Sequence, residues 1–153
     1  MALVQSDWAK GTKSMPAADG SELINVMMTL SITAAQTALG DIYEMGYLPE
    51  NCVLVDAQYA ATDLDTNGTP AHAMSFGVVN SGGTDLDTAL EASIQVGRAG
   101  TAARLTPTAT TLTTTCDGKT RKKLGFKVTT ASATGAAGTV YLSVTYRGTQ
   151  YGV

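Results

Sequence analysis

The chain has 153 residues, of which 44% are hydrophobic and 15% are charged, and its formal net charge is −3. This length and hydrophobic content predict a single domain with one substantial core and exclude a disordered chain. The acidic balance argues against a nucleic-acid binder, which usually carries a basic field. No apolar run is long enough to span a bilayer, and the N-terminus lacks the pattern of a secretion signal. We therefore expect a soluble protein, made in a cytoplasm, that binds neither membrane nor nucleic acid directly.

Residues 1–20 are predicted to form an extended N-terminal arm ahead of a single domain over residues 21–153. The arm is rich in Ser, Lys, Gly, Ala and Pro and has no sustained periodicity, so it is either disordered or ordered by lying across another surface. It contains Trp8, the one tryptophan of the chain. Trp8 either packs back onto its own domain or anchors the arm on a neighbouring molecule, because tryptophan is enriched at interface hot spots.

Alternation of apolar residues with a period of two, typical of half-buried β-strands, recurs along the rest of the chain. The clearest run is residues 22–33, where every second residue shares one face: Ile24, Val26, Met28, Leu30 and Ile32. Further strands are predicted at residues 41–48 (with a bulge near Gly46), 52–61, 71–79, 122–130 and 139–147. Turn-forming clusters separate them, so residues 52–79 and 122–147 are each predicted to form a β-hairpin.

About seven or eight short strands of this kind, without a convincing long helix, predict an all-β protein. The expected architecture is an antiparallel, jelly-roll-like β-sandwich rather than a series of βαβ units. The threonine-rich segment 105–116 suits an edge strand or an exposed crossing segment. The basic cluster Arg121, Lys122 and Lys123 opens a predicted strand, where it is expected to be solvated or to protect a sheet edge.

The loop at residues 63–68 places Asp63, Asp65, Asn67 and a glycine at positions one, three, five and six of a calcium-loop pattern. The pattern requires Glu at position twelve, where this chain has Met74, and strands rather than helices flank the loop. The EF-hand interpretation therefore fails, although a looser calcium site at Asp63 and Asp65 stays open. The alternative is that Asp, Asn and Gly bend the loop, and since turns demand these residue types we expect no metal and no cofactor.

Nothing in the chain forms a recognisable catalytic constellation. His72 is the one histidine, which excludes a three-histidine zinc site and a two-histidine catalytic pair. Nucleophile-elbow and phosphate-loop motifs are absent from the sequence. Cys52 and Cys116 are far apart and share no metal spacing, which is more typical of buried thiols than of a bridge. We therefore predict that the protein is not an enzyme.

Four stretches of the chain form a recurring structural pattern: a short strand ending in Gly-Tyr-Leu-Pro, the run CVLVDAQYAATDLDTNG, the run AHAMSFGVVN, and the closing TVYLSVTYR. Together, over residues 38–147, they resemble small β-sandwich structural proteins of tailed bacteriophages, in particular head decoration or cement proteins. The resemblance implies a virion protein without catalytic residues that binds the outer surface of the capsid as a trimer or dimer. It would join neighbouring capsomers of the major capsid protein against the pressure of packaged DNA, and its arm would become ordered on docking.

Two other functions fit the same strands and loops. A carbohydrate- or receptor-binding sandwich module would use the loops at one end, with calcium at Asp63 and Asp65. A structural protein of the phage tail or neck would share the fold and the lack of catalytic residues. A hydrolase on a β scaffold has no positive support in the sequence.

Overall fold

The protein is an all-β sandwich of two sheets, described by a computed structural model over residues 1–18, 22–109, 111 and 120–148. Single 3₁₀ turns lie at Ala34–Gln36 and Val96–Arg98. No helix within these ranges has the length and hydropathy needed to cross a membrane. The strands are β1 (Leu3–Gln5), β2 (Leu23–Ile32), β3 (Ile42–Leu48), β4 (Cys52–Ala61), β5 (Ala73–Val79), β6 (Leu86–Ile94), β7 (Ala102–Arg104), β8 (Lys122–Thr130) and β9 (Gly138–Gly148).

The five-stranded sheet has the order β1-β3-β8-β5-β6, and the four-stranded sheet has the order β2-β9-β4-β7. Every pair is antiparallel except β1 with β3, which is parallel. The all-β, antiparallel sandwich predicted from the alternation is thus confirmed. The predicted bulge near Gly46 is also present, because the register of β3 against β8 shifts between Glu44 and Gly46. A side chain at Gly46 would collide with Met28 of the opposite sheet.

The two predicted hairpins are wrong. Strands β4 and β5 lie in different sheets, and so do β8 and β9. In both cases the connection carries the chain from one sheet to the other, so the two strands share no ladder. Either arrangement gives each strand one buried face and therefore the same alternation in the sequence. Strand β8 lies between β3 and β5, so the basic cluster before and at its start does not protect a sheet edge.

The core lies between the inward faces of the two sheets. Strand β2 shows how the sequence builds it, because Val26, Met28, Leu30 and Ile32 are buried while the residues between them are exposed. At the centre, the fully buried rings of Tyr59, Phe76 and Phe126 contact one another, with centroids 5.3–5.9 Å apart. Burying a side chain of this size stabilises a fold by about 1.5–3 kcal/mol, so the interior supplies most of the driving force.

Residues 1–18 pack against their own sandwich. Strand β1 adds to the edge of β3, and the buried Ser6 hydroxyl donates to the carbonyl of Met45. Trp8 is half-buried against the core and Met15 is buried. Of the two alternatives for Trp8, the described chain therefore has the first. The end of the predicted arm, the tail after Gly148, and Cys116 with most of the threonine-rich segment lie outside the described residues.

Candidate interaction surface

The predicted calcium residues lie in a loop whose shape they themselves determine. The Asp65 side chain is 1% exposed, and its Oδ2 accepts hydrogen bonds from the backbone N–H groups of Ala71 (2.7 Å), His72 (3.1 Å) and Ala133 (2.9 Å). Its Oδ1 accepts from the N–H of Thr134 at 2.8 Å. Burial raises the pKa of Asp65, but these donors outweigh burial and hold that pKa well below its usual range. Asp65 therefore ties two connections to each other, residues 62–72 and residues 131–137.

Asp63 and Asn67 complete this loop with local hydrogen bonds. The N–H of Asp65 donates to Asp63 Oδ1 at 3.0 Å, and the N–H of Thr69 donates to Asn67 Oδ1 at 2.9 Å. Both are the short side chain-to-backbone bonds that turns use. Within the described ranges, no three His, Cys, Asp or Glu side chains come together in a way that could hold a metal ion. The contacts of these residues are accordingly those of loop supports.

His72 lies in the same loop region and is completely buried. Its Nδ1 is 3.2 Å from Ser132 Oγ, and that hydroxyl donates its hydrogen to the carbonyl of Leu64 at 2.9 Å. Nδ1 must therefore carry the imidazole proton, because the hydroxyl has no second hydrogen to give. Nε2 is buried without a hydrogen-bond partner in the described chain. Burial lowers the pKa of His72, nearby Asp65 opposes that shift and Arg98 adds to it.

The outer side of the five-stranded sheet is largely covered by the protein's own chain. Ile42, Glu44 and Val79 are buried although they lie outside the interior cluster. The loop between β5 and β6 contributes to this cover, since Leu3 packs on Gly83 and Lys127 Nζ pairs with Asp85 Oδ1 at 2.6 Å. Part of the apolar surface on this side is therefore covered, and Leu3 remains 45% exposed.

The outer side of the four-stranded sheet differs, and we call it the open face. Three large apolar side chains protrude from it: Leu23 and Met27, each 61% exposed, and Val55, 46% exposed. Beside Met27 lies a shallow depression of about 410 Å³, whose lining includes Ala60, Ala102, Tyr141 and Ser143. The residues assigned to the open face are Leu23, Asn25, Met27, Thr29, Val55, Asp56, Gln58, Ala60, Ala102, Arg104, Tyr141, Ser143, Thr145 and Arg147.

The open face carries two arginines and one aspartate, so its net charge is +1. Arg104 and Asp56 form an ion pair, with Nη2 to Oδ2 at 2.9 Å and Nε 3.0 Å from each carboxylate oxygen, so these two charges neutralise each other. Arg147 is the remaining charged residue in that set. Exposed apolar side chains on a face with little net charge are typical of protein–protein contacts.

One residue in the sequence indicates this face, although the alternation of apolar residues alone does not identify it. In β2 the row of Asn25, Thr29 and Ser31 is polar, and Met27 interrupts it with a large apolar side chain. A residue of this kind on the solvent side of an otherwise regular strand suggests an interface. The depression has no comparable signal, because it depends on which strands are neighbours.

The fold and the open face together define a class: a two-sheet structural protein built for contact with other proteins. Comparison with known proteins then identifies a family. A solved chain from the capsid of Ralstonia phage GP4 is 34% identical, with the match covering 97% of this chain and 99% of that chain at a TM-score of 0.83. This chain therefore belongs to the same family of phage capsid proteins, and it is a structural component of a phage virion.

A second solved chain, from the capsid asymmetric unit of cyanophage Pam1, shares the fold. It is 24% identical over 88% of this chain and 94% of its own length, with a TM-score of 0.62. No protein-family model matches the sequence, and no curated protein matches it.

Proposed function

We propose that the protein decorates the outer surface of a phage capsid and joins neighbouring capsomers, as a homo-oligomer bound to the major capsid protein, without a catalytic role. The observation that carries this proposal is the 34% identity, over nearly the whole of both chains, to a chain of the GP4 capsid. The outer position and the bridging role go beyond that relationship and rest on the surface of the molecule.

That surface suits long-lived packing against other proteins. Only 15% of the residues are charged, below the roughly 25% of ordinary domains. The open face combines exposed Leu23, Met27 and Val55 with a neutralised Asp56–Arg104 pair. A free monomer gains nothing from such exposure, whereas a subunit at a junction of capsomers buries it.

Trp8 remains a proposed contact residue. Its ring is half-buried on the core, with Lys13 Nζ 5.7 Å from the ring centroid, so part of the indole is exposed to a neighbour. Trp8→Ala is expected to weaken binding to capsids by more than its loss of fold stability accounts for. If binding were unchanged, Trp8 would have no part in docking.

The decisive experiment uses capsids assembled without this protein. Purified protein is added, bound protein is measured by co-sedimentation, and its position is determined by electron cryomicroscopy. We expect density on the outside of the shell between capsomers, together with release of DNA at a higher temperature than from bare capsids. Density inside the shell, or at the neck or tail, would overturn the decoration role in favour of another structural role in the virion.

No contact in the described structure favours the carbohydrate-binding alternative. The loop at residues 63–68, which such a module would use, has the Asp65 oxygens occupied by backbone donors.

A further inference from the structure

The end of the sandwich that Asp65 organises carries an exposed asparagine followed by a glycine, Asn67 and Gly68. Of the four asparagines in the chain, Asn67 is the one with glycine after it. This pair is chemically reactive, because the backbone nitrogen of the second residue can attack the side-chain carbonyl carbon of the first and close a five-membered ring. Glycine brings the attacking nitrogen without a β-carbon to obstruct the approach.

The hydrogen bonds of Asn67 orient its side chain for this reaction. Oδ1 accepts from the N–H of Thr69 at 2.9 Å, which closes a turn in which the side chain folds back over the peptide that joins residues 67 and 68. A donor on Oδ1 also stabilises the negative charge that develops there when the carbonyl carbon is attacked. Nδ2, the nitrogen that would leave, donates to Thr134 Oγ1 at 3.1 Å. The protein itself therefore orients and polarises the amide.

The attacking group, the backbone nitrogen of Gly68, is available to react. Within the described part of the chain its N–H donates to no acceptor, so no hydrogen bond has to break before it loses its proton to solvent. Residues 67–69 form a bend outside every strand, and Gly68 is exposed. A β-carbon on Gly68 would meet nothing within 4 Å beyond its chain neighbours, so the backbone also has room to rotate into the ring geometry.

We propose that Asn67 of the folded protein is a site of spontaneous deamidation. The Gly68 nitrogen loses its proton and bonds to Cγ of Asn67, the bond from Cγ to Nδ2 breaks, and the amide nitrogen leaves as ammonia. Water then opens the cyclic imide at one of its two carbonyl carbons. Opening at Cγ breaks the new bond and leaves an isoaspartate-free chain with aspartate at position 67. Opening at the backbone carbonyl leaves isoaspartate, in which the backbone runs through the former side chain.

The other three asparagines lack this combination, so the reaction is selective for Asn67. Asn25 lies within the paired strand β2 and precedes a valine. Asn51 precedes the first residue of β4. Asn80 precedes a serine, and its amide is held at both ends by Thr84. Each of the residues that follow them carries a side chain that obstructs the attack.

Deamidation would change the contacts between the two connections that Asp65 joins. It replaces an amide that donates to Thr134 by a carboxylate that cannot donate. The new charge lies in the loop of Asp63 and Asp65, where like charges repel it. Isoaspartate also lengthens the backbone by one methylene group, next to the bond of 3.1 Å from the Thr66 N–H to the Thr134 carbonyl. The protein is therefore expected to lose stability as it ages.

The first test incubates the full-length protein in mildly alkaline buffer, well below its melting temperature, and follows its fragments by mass spectrometry. Chymotrypsin cleaves after Tyr59 and Phe76, so the fragments between them include Asn67 and no other asparagine. The fragment with Asn67 is expected to become about one dalton heavier as the amide becomes an acid, and to separate into aspartate and isoaspartate forms. Fragments with the other asparagines are expected to stay unmodified over the same period.

The second test uses variants of the attacking residue. Gly68→Ala is expected to slow the reaction at least severalfold, because a methyl group obstructs the attack while the open space around it leaves the fold intact. Gly82→Ala is the matched control, since Gly82 is another exposed loop glycine with no close contact at its β-carbon position. It should leave the rate unchanged. After equal incubation, the urea midpoint should fall in the parent protein and in Gly82→Ala, and stay constant in Gly68→Ala.

Two results would overturn the proposal. If Asn67 stayed unmodified in the folded protein and reacted only in urea, the hydrogen bonds of the loop would protect the amide rather than orient it. If the parent protein and Gly68→Ala reacted at equal rates, the Gly68 nitrogen would not be the attacking group. Neither result bears on the decoration of capsids, which the localisation of the protein decides separately.

Discussion

At the scale of single residues, Asp65 is the side chain on which the loops at one end of the sandwich depend most. It is buried, and five backbone N–H groups from two connections donate to its carboxylate. Asp65→Ala would leave these donors unpaired, and an unpaired buried donor costs about 1–3 kcal/mol. We expect the free energy of unfolding in urea to fall by about 3 kcal/mol or more.

Asp63→Ala is the matched control for that prediction, because Asp63 is exposed and accepts one local hydrogen bond. It should lower the free energy of unfolding by about 1 kcal/mol or less. Calcium should raise the melting temperature of neither the parent protein nor this control. Equal effects of the two substitutions, or a clear stabilisation by calcium, would contradict the structural role of Asp65.

His72 gives the fold a dependence on pH. Burial lowers the pKa of His72 in the folded protein below that in the unfolded chain, and within the described residues Nε2 has no acceptor for a second proton. The unfolded state therefore binds the extra proton first as pH falls below about 6.5. Stability is fully present above that pH and decreases below it, until the folded pKa is reached.

The free energy of unfolding cannot change through His72 by more than about 1.4 kcal/mol per pH unit, the value for one proton. Urea denaturation between pH 7.5 and 5 measures this pH dependence of stability. The window brackets the usual histidine pKa of about 6.5 and lies above the range in which most carboxylates titrate. His72→Gln should remove this component whatever it does to the absolute stability, because the chain has no other histidine. An unchanged slope in the variant would show that another group titrates there.

At the scale of elements, the sequence predicts the positions of six of the nine described strands, missing β1, β6 and β7, and it predicts strand partners poorly. The run 22–33 corresponds closely to β2, because one strand face must be apolar wherever the strand lies in the fold. Pairing depends instead on contacts far apart in the chain, such as β4 with β9. Strands β1 and β7 span only three residues each, which is too short for a period to be recognised.

In the candidate site, too, local contacts can be predicted from the sequence and long-range contacts cannot. Turn chemistry predicts the local bonds of Asp63 and Asn67, since their acceptors serve N–H groups two residues ahead. The bonds of Asp65 to Ala133 and Thr134 cross almost half the chain and depend on the assembled fold. For the open face, Met27 can be recognised in the sequence, whereas the depression beside it cannot.

The N-terminal segment behaves in the structure as a part of the sandwich rather than as a separate arm. Deleting residues 1–18 would remove β1, the bond from Ser6 to Met45, and the packing of Trp8 and Met15. Full burial of a large apolar side chain contributes about 1.5–3 kcal/mol, which applies to Met15, while half-buried Trp8 and the lost pairing of β1 with β3 add to it. We expect the truncated protein to be destabilised by more than about 3 kcal/mol, as measured by urea denaturation.

Lys10→Ala is the control for this deletion, because Lys10 is exposed, and it should change stability by less than about 0.5 kcal/mol. A truncated protein with the urea midpoint of the full chain would mean that residues 1–18 contribute no stability. In that event the segment would be free to dock on a neighbour, as an arm.

At the scale of the whole molecule, the two sheets have unlike outer sides. The loop between β5 and β6 covers part of the five-stranded sheet, where Leu3 stays exposed, whereas the four-stranded sheet exposes Leu23, Met27 and Val55 together. A subunit of a shell needs at least one face for contact, and this asymmetry indicates which one it is.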